Sequence, residues 1–145
     1  MDYPDFLFLA EVYWDLEAIL QSLGFDYTYD KRLYDYLVYR DFENVAQHLH
    51  RLTPGFIRAS AHFLENHDES RIASILDLPE HKAAALLIMG LPGMTVLYEG
   101  QLNGATRHIP VQFARAPAEK MKQEVADFYA NCCQPSVRRA SGASR

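Results

Sequence analysis

Three short stretches of the sequence gather side chains suited to proton and carboxylate chemistry. Glu11 lies in Phe8-Leu9-Ala10-Glu11-Val12-Tyr13-Trp14, Asn66-His67-Asp68 are consecutive, and Glu99 follows an apolar run ending in Tyr98. A carboxyl group enclosed by Phe8, Leu9, Val12 and Trp14 is expected to hold its proton more tightly, because burial disfavours the charged form. A carboxylic acid tuned upward in this way suits general-acid catalysis near neutral pH. Asn66, His67 and Asp68 add an amide, an imidazole and a second carboxylate, and two carboxylates flanking a bond are the usual equipment for glycoside hydrolysis. Each feature also has a plainer use. A Glu at a strand end is more often solvated or salt-bridged, and Asn-His-Asp can cap a helix, with Asp68 satisfying backbone donors.

The remaining polar signals point to no cofactor. His48 and His50 face different sides of a predicted helix, and no spaced carboxylate or Cys completes a metal set. His62, His81 and His108 are expected to be structural or exposed. Gly90-Leu91-Pro92-Gly93 lacks the Lys of a phosphate loop, so nucleotide binding is not supported.

The elements that must position these residues alternate. Residues 6–13 form a near-continuous apolar run, as expected of a strand buried on both faces of a parallel sheet. Asp15 is placed to cap a helix through Leu16, Ile19, Leu20 and Leu23, with Gly24 stopping it. A short aromatic strand over 25–29 follows, then helices over 31–39 and 42–52, broken by Pro54-Gly55. A third strand is predicted over 59–64, a short helix over 70–78, and a stronger one over 80–89 with Pro79 at its start. Residues 95–98 read as a fourth strand, 102–118 as an irregular loop, and 119–131 as a last amphipathic helix with Met121, Val125 and Phe128 in register. The order β-α-β-α-α-β-α-α-β-α implies an α/β fold with a parallel sheet and helical crossovers. Chemistry in such folds sits beyond the carboxyl ends of the strands, which selects Glu11, His67 and Asp68 first and Glu99 after them.

Composition bounds the partners. The 145 residues are 49% hydrophobic and 23% charged, ordinary values for one globular domain. With 14 Lys and Arg against 19 Asp and Glu, the net charge is −5 and no basic stripe precedes the last eight residues, so no nucleic-acid partner is expected. The longest apolar run, 83–89, is far short of the roughly 20 residues that span a bilayer, so no membrane partner is expected either. The N-terminal residues do not read as a signal peptide. Cys132 and Cys133 are adjacent and unsuited to bridging each other, and a cytoplasmic setting is expected. The Pro-, Ser- and Arg-containing stretch 132–145 is expected to be a disordered tail.

In their order and spacing, the motifs resemble one family. Phe8-Leu9-Ala10-Glu11-Val12-Tyr13-Trp14 is similar to the fifth-strand motif of the α-amylase family, glycoside hydrolase family 13. Phe63-Leu64-Glu65-Asn66-His67-Asp68 is similar to its seventh-strand motif, and Pro92-Gly93 through Tyr98-Glu99-Gly100-Gln101 to its eighth-strand segment. The resemblance covers about residues 5 to 131 and implies the C-terminal half of a (β/α)₈ barrel, whose strands five to eight are the four predicted here. It implies Glu11 as general acid/base and Asp68 as transition-state stabiliser. It further implies His67 and Asn66 on the bound sugar, and Tyr13 and Trp14 stacking on a neighbouring ring of an α-glucan.

A complete barrel normally needs about 250 residues, so 145 make roughly half of one. The family's nucleophile is an Asp two residues after an Arg, ahead of the general-acid strand. Asp2 and Asp5 lack that Arg. Asp26 lies after Glu11 and also lacks it, and Arg58 is followed by Ala59 and Ser60. Without a nucleophile no covalent glycosyl-enzyme forms by the usual route, and the chain alone is expected to be inactive. Half a barrel also leaves two open strand edges and an apolar inner face, so pairing with an N-terminal half-barrel or self-association as a non-catalytic binding module is the alternative.

Overall fold

The structure is a computed structural model that describes residues 5–112, 115 and 118–133. Its centre is a sheet of four strands, β1 (Leu9–Ala10), β2 (Tyr27–Tyr29), β3 (Ser60–Phe63) and β4 (Met94–Val96), in that spatial order. All neighbours are parallel, with Leu9 opposite Tyr27, Thr28 opposite Ser60 and His62 opposite Thr95. The crossovers are helical, as parallel pairing requires. They are α1 (Glu17–Ser22), α2 (Lys31–Val38), α3 (Phe42–Arg51), α4 (Pro54–Arg58), α5 (Ile72–Ile75) and α6 (Leu78–Gly90), and α7 (Gln123–Cys132) follows β4.

Local chemistry explains most helix starts. Asp30, Asp41 and Thr53 accept from the backbone N–H three residues on, capping α2, α3 and α4. Pro54 therefore begins a helix rather than merely breaking one. Asp77 and Glu80 form a reciprocal capping box at α6, with Pro79 in its first turn. The core lies between sheet and helices, where Leu33, Leu64, Ile72, Ala85, Ile88 and Tyr129 are buried. Gly93 has φ +118°, and a Cβ there would fall 2.4 Å from the Ser60 carbonyl oxygen. Only a glycine lets the chain entering β4 pass that close to the start of β3.

Three sequence expectations are corrected. The apolar run 6–13 is not a strand buried on both faces: two residues pair, and Phe6, Leu7, Phe8 and Leu9 are 62%, 60%, 50% and 41% exposed. Among the described residues the strand is an edge of the sheet, with no strand paired on its outer side. Asp15 does not cap α1. Leu16 occupies the cap without a side-chain bond, while Trp14 and Asp15 take left-handed backbone angles and Asp15 pairs with Arg32. The last helix begins at Gln123, not Glu119, and Met121 is exposed; Glu119 instead accepts from the Thr106 and Arg107 N–H groups, both at 2.8 Å. Within the expected loop 102–118 lies the end of a short 3₁₀ turn, Gln101–Asn103. Of the expected tail, Cys132 ends α7 and Cys133 caps it, while 134–145 lie outside the described residues. Among the described residues, no helix is long and apolar enough to cross a membrane.

Candidate active site

Parallel pairing brings the carboxyl ends of all four strands to one rim. Glu11 stands one residue beyond β1, Lys31 opens α2 two residues beyond β2, and Leu64 to Asp68 leave β3. There the imidazole Nε2 of His67 lies 3.5 Å from Asp68 Oδ2 and 4.0 Å from Glu11 Oε2. One ligand atom from each of the three falls within 4.8 Å of the others. No regular spacing in the sequence marks this group, because it is assembled from two strand ends. These three donors, all partly exposed, lie close enough together to meet one divalent cation.

Each member is oriented by a neighbour. The Tyr13 hydroxyl donates to Glu11 Oε1 at 3.0 Å, which leaves Oε2 facing His67. Burial first, then the bond to Glu11, hold the Tyr13 phenol well above its ordinary pKa, so it remains a protonated donor. Asn66 is buried, and its Oδ1 accepts from the backbone N–H groups of Asp68 at 3.0 Å and Glu69 at 2.8 Å. Asn66, not Asp68, thus satisfies the local backbone donors, which leaves the Asp68 carboxylate free to face His67. The His67 carbonyl oxygen is held by His108 Nε2 at 3.0 Å. Glu11 itself is 39% exposed, so the apolar enclosure read from its neighbours in sequence does not exist. Successive residues beyond a strand end diverge instead of closing round one side chain.

Tyr13 and Trp14 meet edge to face with ring centroids 5.5 Å apart, and Trp14 is 80% exposed. A tryptophan presented to solvent beside a carboxylate is suited to stacking on a flat apolar ring face. Sequence reasoning missed Tyr29, Lys31 and Glu69. Burial and the charge of Glu11 raise the Tyr29 pKa. Partial burial opposes the Lys31 cation, but bonds to Asp35 and Glu69, the latter at 3.1 Å, outweigh it and raise its pKa. The available signal was positional, since Lys31 follows a strand end in a parallel sheet and Glu69 adjoins Asp68. Glu99 does not join the cluster; it is exposed, and its carbonyl accepts from Arg71 Nη1 at 2.6 Å.

His48, His62 and His81 do structural work. His48 Nε2 meets Asp30 Oδ1 at 2.9 Å, and His62 lies between Asp30 and the Pro92 carbonyl. His81 Nε2 meets the Tyr129 hydroxyl at 2.9 Å. The Gln101 amide can only donate to that hydroxyl, so Tyr129 gives its own proton to His81. Asp26, the carboxylate weighed as a nucleophile, accepts from the Phe8 N–H at 2.8 Å and so ties down β1.

The family model for the alpha amylase catalytic domain matches residues 19–140, a span that begins after Glu11 and includes Asn66 to Asp68. No curated protein matches the chain. Among solved structures, the α-amylase of H. orenii is 24% identical with a TM-score of 0.61, over 75% of this chain and 25% of that one. The debranching enzyme of Nostoc punctiforme is 17% identical with a TM-score of 0.69, over 87% of this chain and 32% of that one. The maltogenic α-amylase AmyB of Thermotoga neapolitana is 18% identical with a TM-score of 0.58, over 88% and 32%. The chain therefore spans a quarter to a third of each, and shares with them the α/β-barrel fold over that span.

Proposed function

Since the chain belongs to the α-amylase catalytic-domain family, we propose that it forms the C-terminal half of an α-glucan-active barrel and carries two of its three catalytic carboxylates. The observation behind this reading is the convergence of Glu11, His67 and Asp68 within 4.8 Å at the carboxyl rim of a parallel sheet. In a retaining reaction Glu11 protonates the leaving glycosidic oxygen and later takes a proton from the acceptor, and Asp68 favours the positively charged, distorted sugar. His67 donates to sugar hydroxyls. Asn66 acts through the turn that aims Asp68, and Tyr13 and Trp14 take a neighbouring ring. The covalent step needs a nucleophile that these 145 residues do not supply, so this chain by itself binds α-glucans without cleaving them.

A second reading rests on the β1 edge. Four consecutive apolar residues, Phe6 to Leu9, are exposed along the edge strand of the sheet, a surface suited to an N-terminal half-barrel or another copy. We place the protein in the cytoplasm, where the free thiols of Cys132 and Cys133 would stay reduced.

Trp14 is the single tryptophan, so its emission reports on the site directly. Maltooligosaccharides are expected to quench it, with no reducing ends released from starch or from the oligosaccharides. Turnover that Glu11→Gln abolishes would overturn the inactivity, and unchanged Trp14 emission at saturating sugar would overturn the binding.

A further inference from the structure

A second cleft, of about 360 Å³, opens beyond β4, between Tyr98-Glu99-Gly100 and the segments 103–111 and 119–121. It contains none of the residues of the Glu11–His67–Asp68 cluster. Its size is within the ordinary range for small-molecule sites.

Arg71 forms its inner wall. The guanidinium is nine-tenths buried, stacks on the Tyr98 ring at 4.6 Å, and donates through Nη1 to Glu65 Oε2 and the Glu99 carbonyl and through Nε to the Arg107 carbonyl. Nη2 has no hydrogen-bond partner among the described residues, yet it is not sealed from solvent. A buried guanidinium with three fixed partners and both N–H groups of Nη2 unfilled is held ready for an acceptor.

The character of that acceptor follows from the charges. Arg71, Arg107 and Lys120 are matched by Glu65, Glu99 and Glu119, so no net field favours an anion. The lining offers donors and acceptors together, and Asn103 and Glu99, an amide and a carboxylate, are both exposed. Ile109, Pro110 and Met121 add apolar lining, Met121 being half-exposed. A ligand with many hydroxyls that both give and accept, and with an apolar ring face, fits this lining; a phosphate or a flat hydrophobe does not.

We propose that this cleft is a second saccharide site, which takes a short neutral oligosaccharide through Arg71 Nη2, Asn103 and Glu99 and rests its ring faces on the apolar lining at Met121. The identity of the sugar as an α-glucan rests on the function proposed above; the geometry of the cleft does not.

Two separate reporters test it on the whole chain. Met121 is one of four methionines, so ¹³C-methyl labelling gives it a signal, assigned with Met121→Leu, while Trp14 emission reports on the first site. Maltotriose is expected to shift the Met121 methyl. Tyr98→Ala should weaken that shift at least tenfold and Asn103→Ala about threefold, both with Trp14 quenching intact. Asn103 is exposed, so its variant keeps the test informative should Tyr98→Ala fail to fold. A Met121 signal unmoved by maltotriose, or moved equally by inorganic phosphate, would overturn the proposal, as would a shift that both variants leave unchanged. A Met121 shift with silent Trp14 would leave this site standing and remove the first.

Discussion

Asp68 and Glu11 reach the same cluster from unlike scaffolds. Asp68 follows β3, all four residues of which are buried between two paired neighbours, and the turn that carries it is fixed by Asn66. Behind it stand two buried polar networks, Glu65 with Arg71, and His81 with Tyr129 and Gln101. Glu11 follows a two-residue edge strand and leads into two successive left-handed residues, Trp14 and Asp15. Half of the site is thus built into the core, and the other half hangs from a margin held by few bonds. The contrast assigns stability to the β3–β4 side and adjustability to the β1 side, and each claim can be attacked separately.

The strongest attack is on Arg71. Burial pushes the Glu65 carboxyl up even though Arg71 and the Ile72 N–H pull it the other way. In Arg71→Ala the carboxyl keeps only the Ile72 N–H, and removing one partner of a buried pair typically costs about 3–5 kcal/mol. Urea unfolding should show a loss of that order. A loss below about 1 kcal/mol would mean that the β3–β4 side is not the rigid half.

Acid probes the same side in two windows. Burial, then the nearby Lys122 charge, lower the His81 pKa from 6.5 to about 4. The unfolded chain takes up a proton below pH 6.5 that the folded chain refuses until about 4. Stability is therefore full above 6.5 and falls as pH drops through this window, by about 3 kcal/mol in all. At Asp30 burial works against the charge, but His48 and His62 outweigh it and lower the pKa from 3.8 to about 2. That contribution is present above pH 3.8 and is lost as pH falls towards 2, on the order of 2 kcal/mol. Denaturant titrations from pH 7.5 to 4 should show the first slope in the parent and a flattened one in His81→Gln. An equal slope in both would remove His81 as its source.

What the sequence revealed follows the same division. Helices α2, α3 and α6 were legible because their signals are local: apolar spacing and Pro79 marked them, and the Asp30, Asp41 and Asp77 caps account for their starts. The four-strand parallel order was legible from the alternation itself. Errors arose where the deciding partner is distant or missing. Phe6 to Tyr13 has the composition of a central strand, but composition does not say whether a neighbour exists on each side. Asp15 has the type and place of a cap, but the left-handed turn aims it at Arg32. Glu119 looks like a helix start and instead serves a loop thirteen residues back. At the candidate site, the motifs singled out Glu11, His67 and Asp68, which the fold brings together, while Lys31 and Tyr29 became visible only when the sheet set three strand ends side by side.

The smallest expected effect tests the margin. Asp26 holds β1 from two directions: its side chain accepts from the Phe8 N–H, and its own N–H donates to the Phe8 carbonyl at 3.0 Å. Asp26→Ala removes only the first of these, an exposed bond worth about 1 kcal/mol. If β1 were an integral strand, that loss would spread over the whole domain as a lower unfolding midpoint. If β1 opens on its own, global stability should barely change, while the amides of Phe8, Leu9 and Ala10 exchange with solvent several-fold faster and those of Ala61 to Phe63 keep their rates. Because Glu11 is the next residue after Ala10, the same local opening should weaken maltooligosaccharide quenching of Trp14 without shifting the Met121 methyl. Slower β3 exchange would contradict nothing here, but β3 amides accelerating in step with β1 would mean that the sheet opens as one unit, and the division between a fixed and an adjustable half of the site would be wrong.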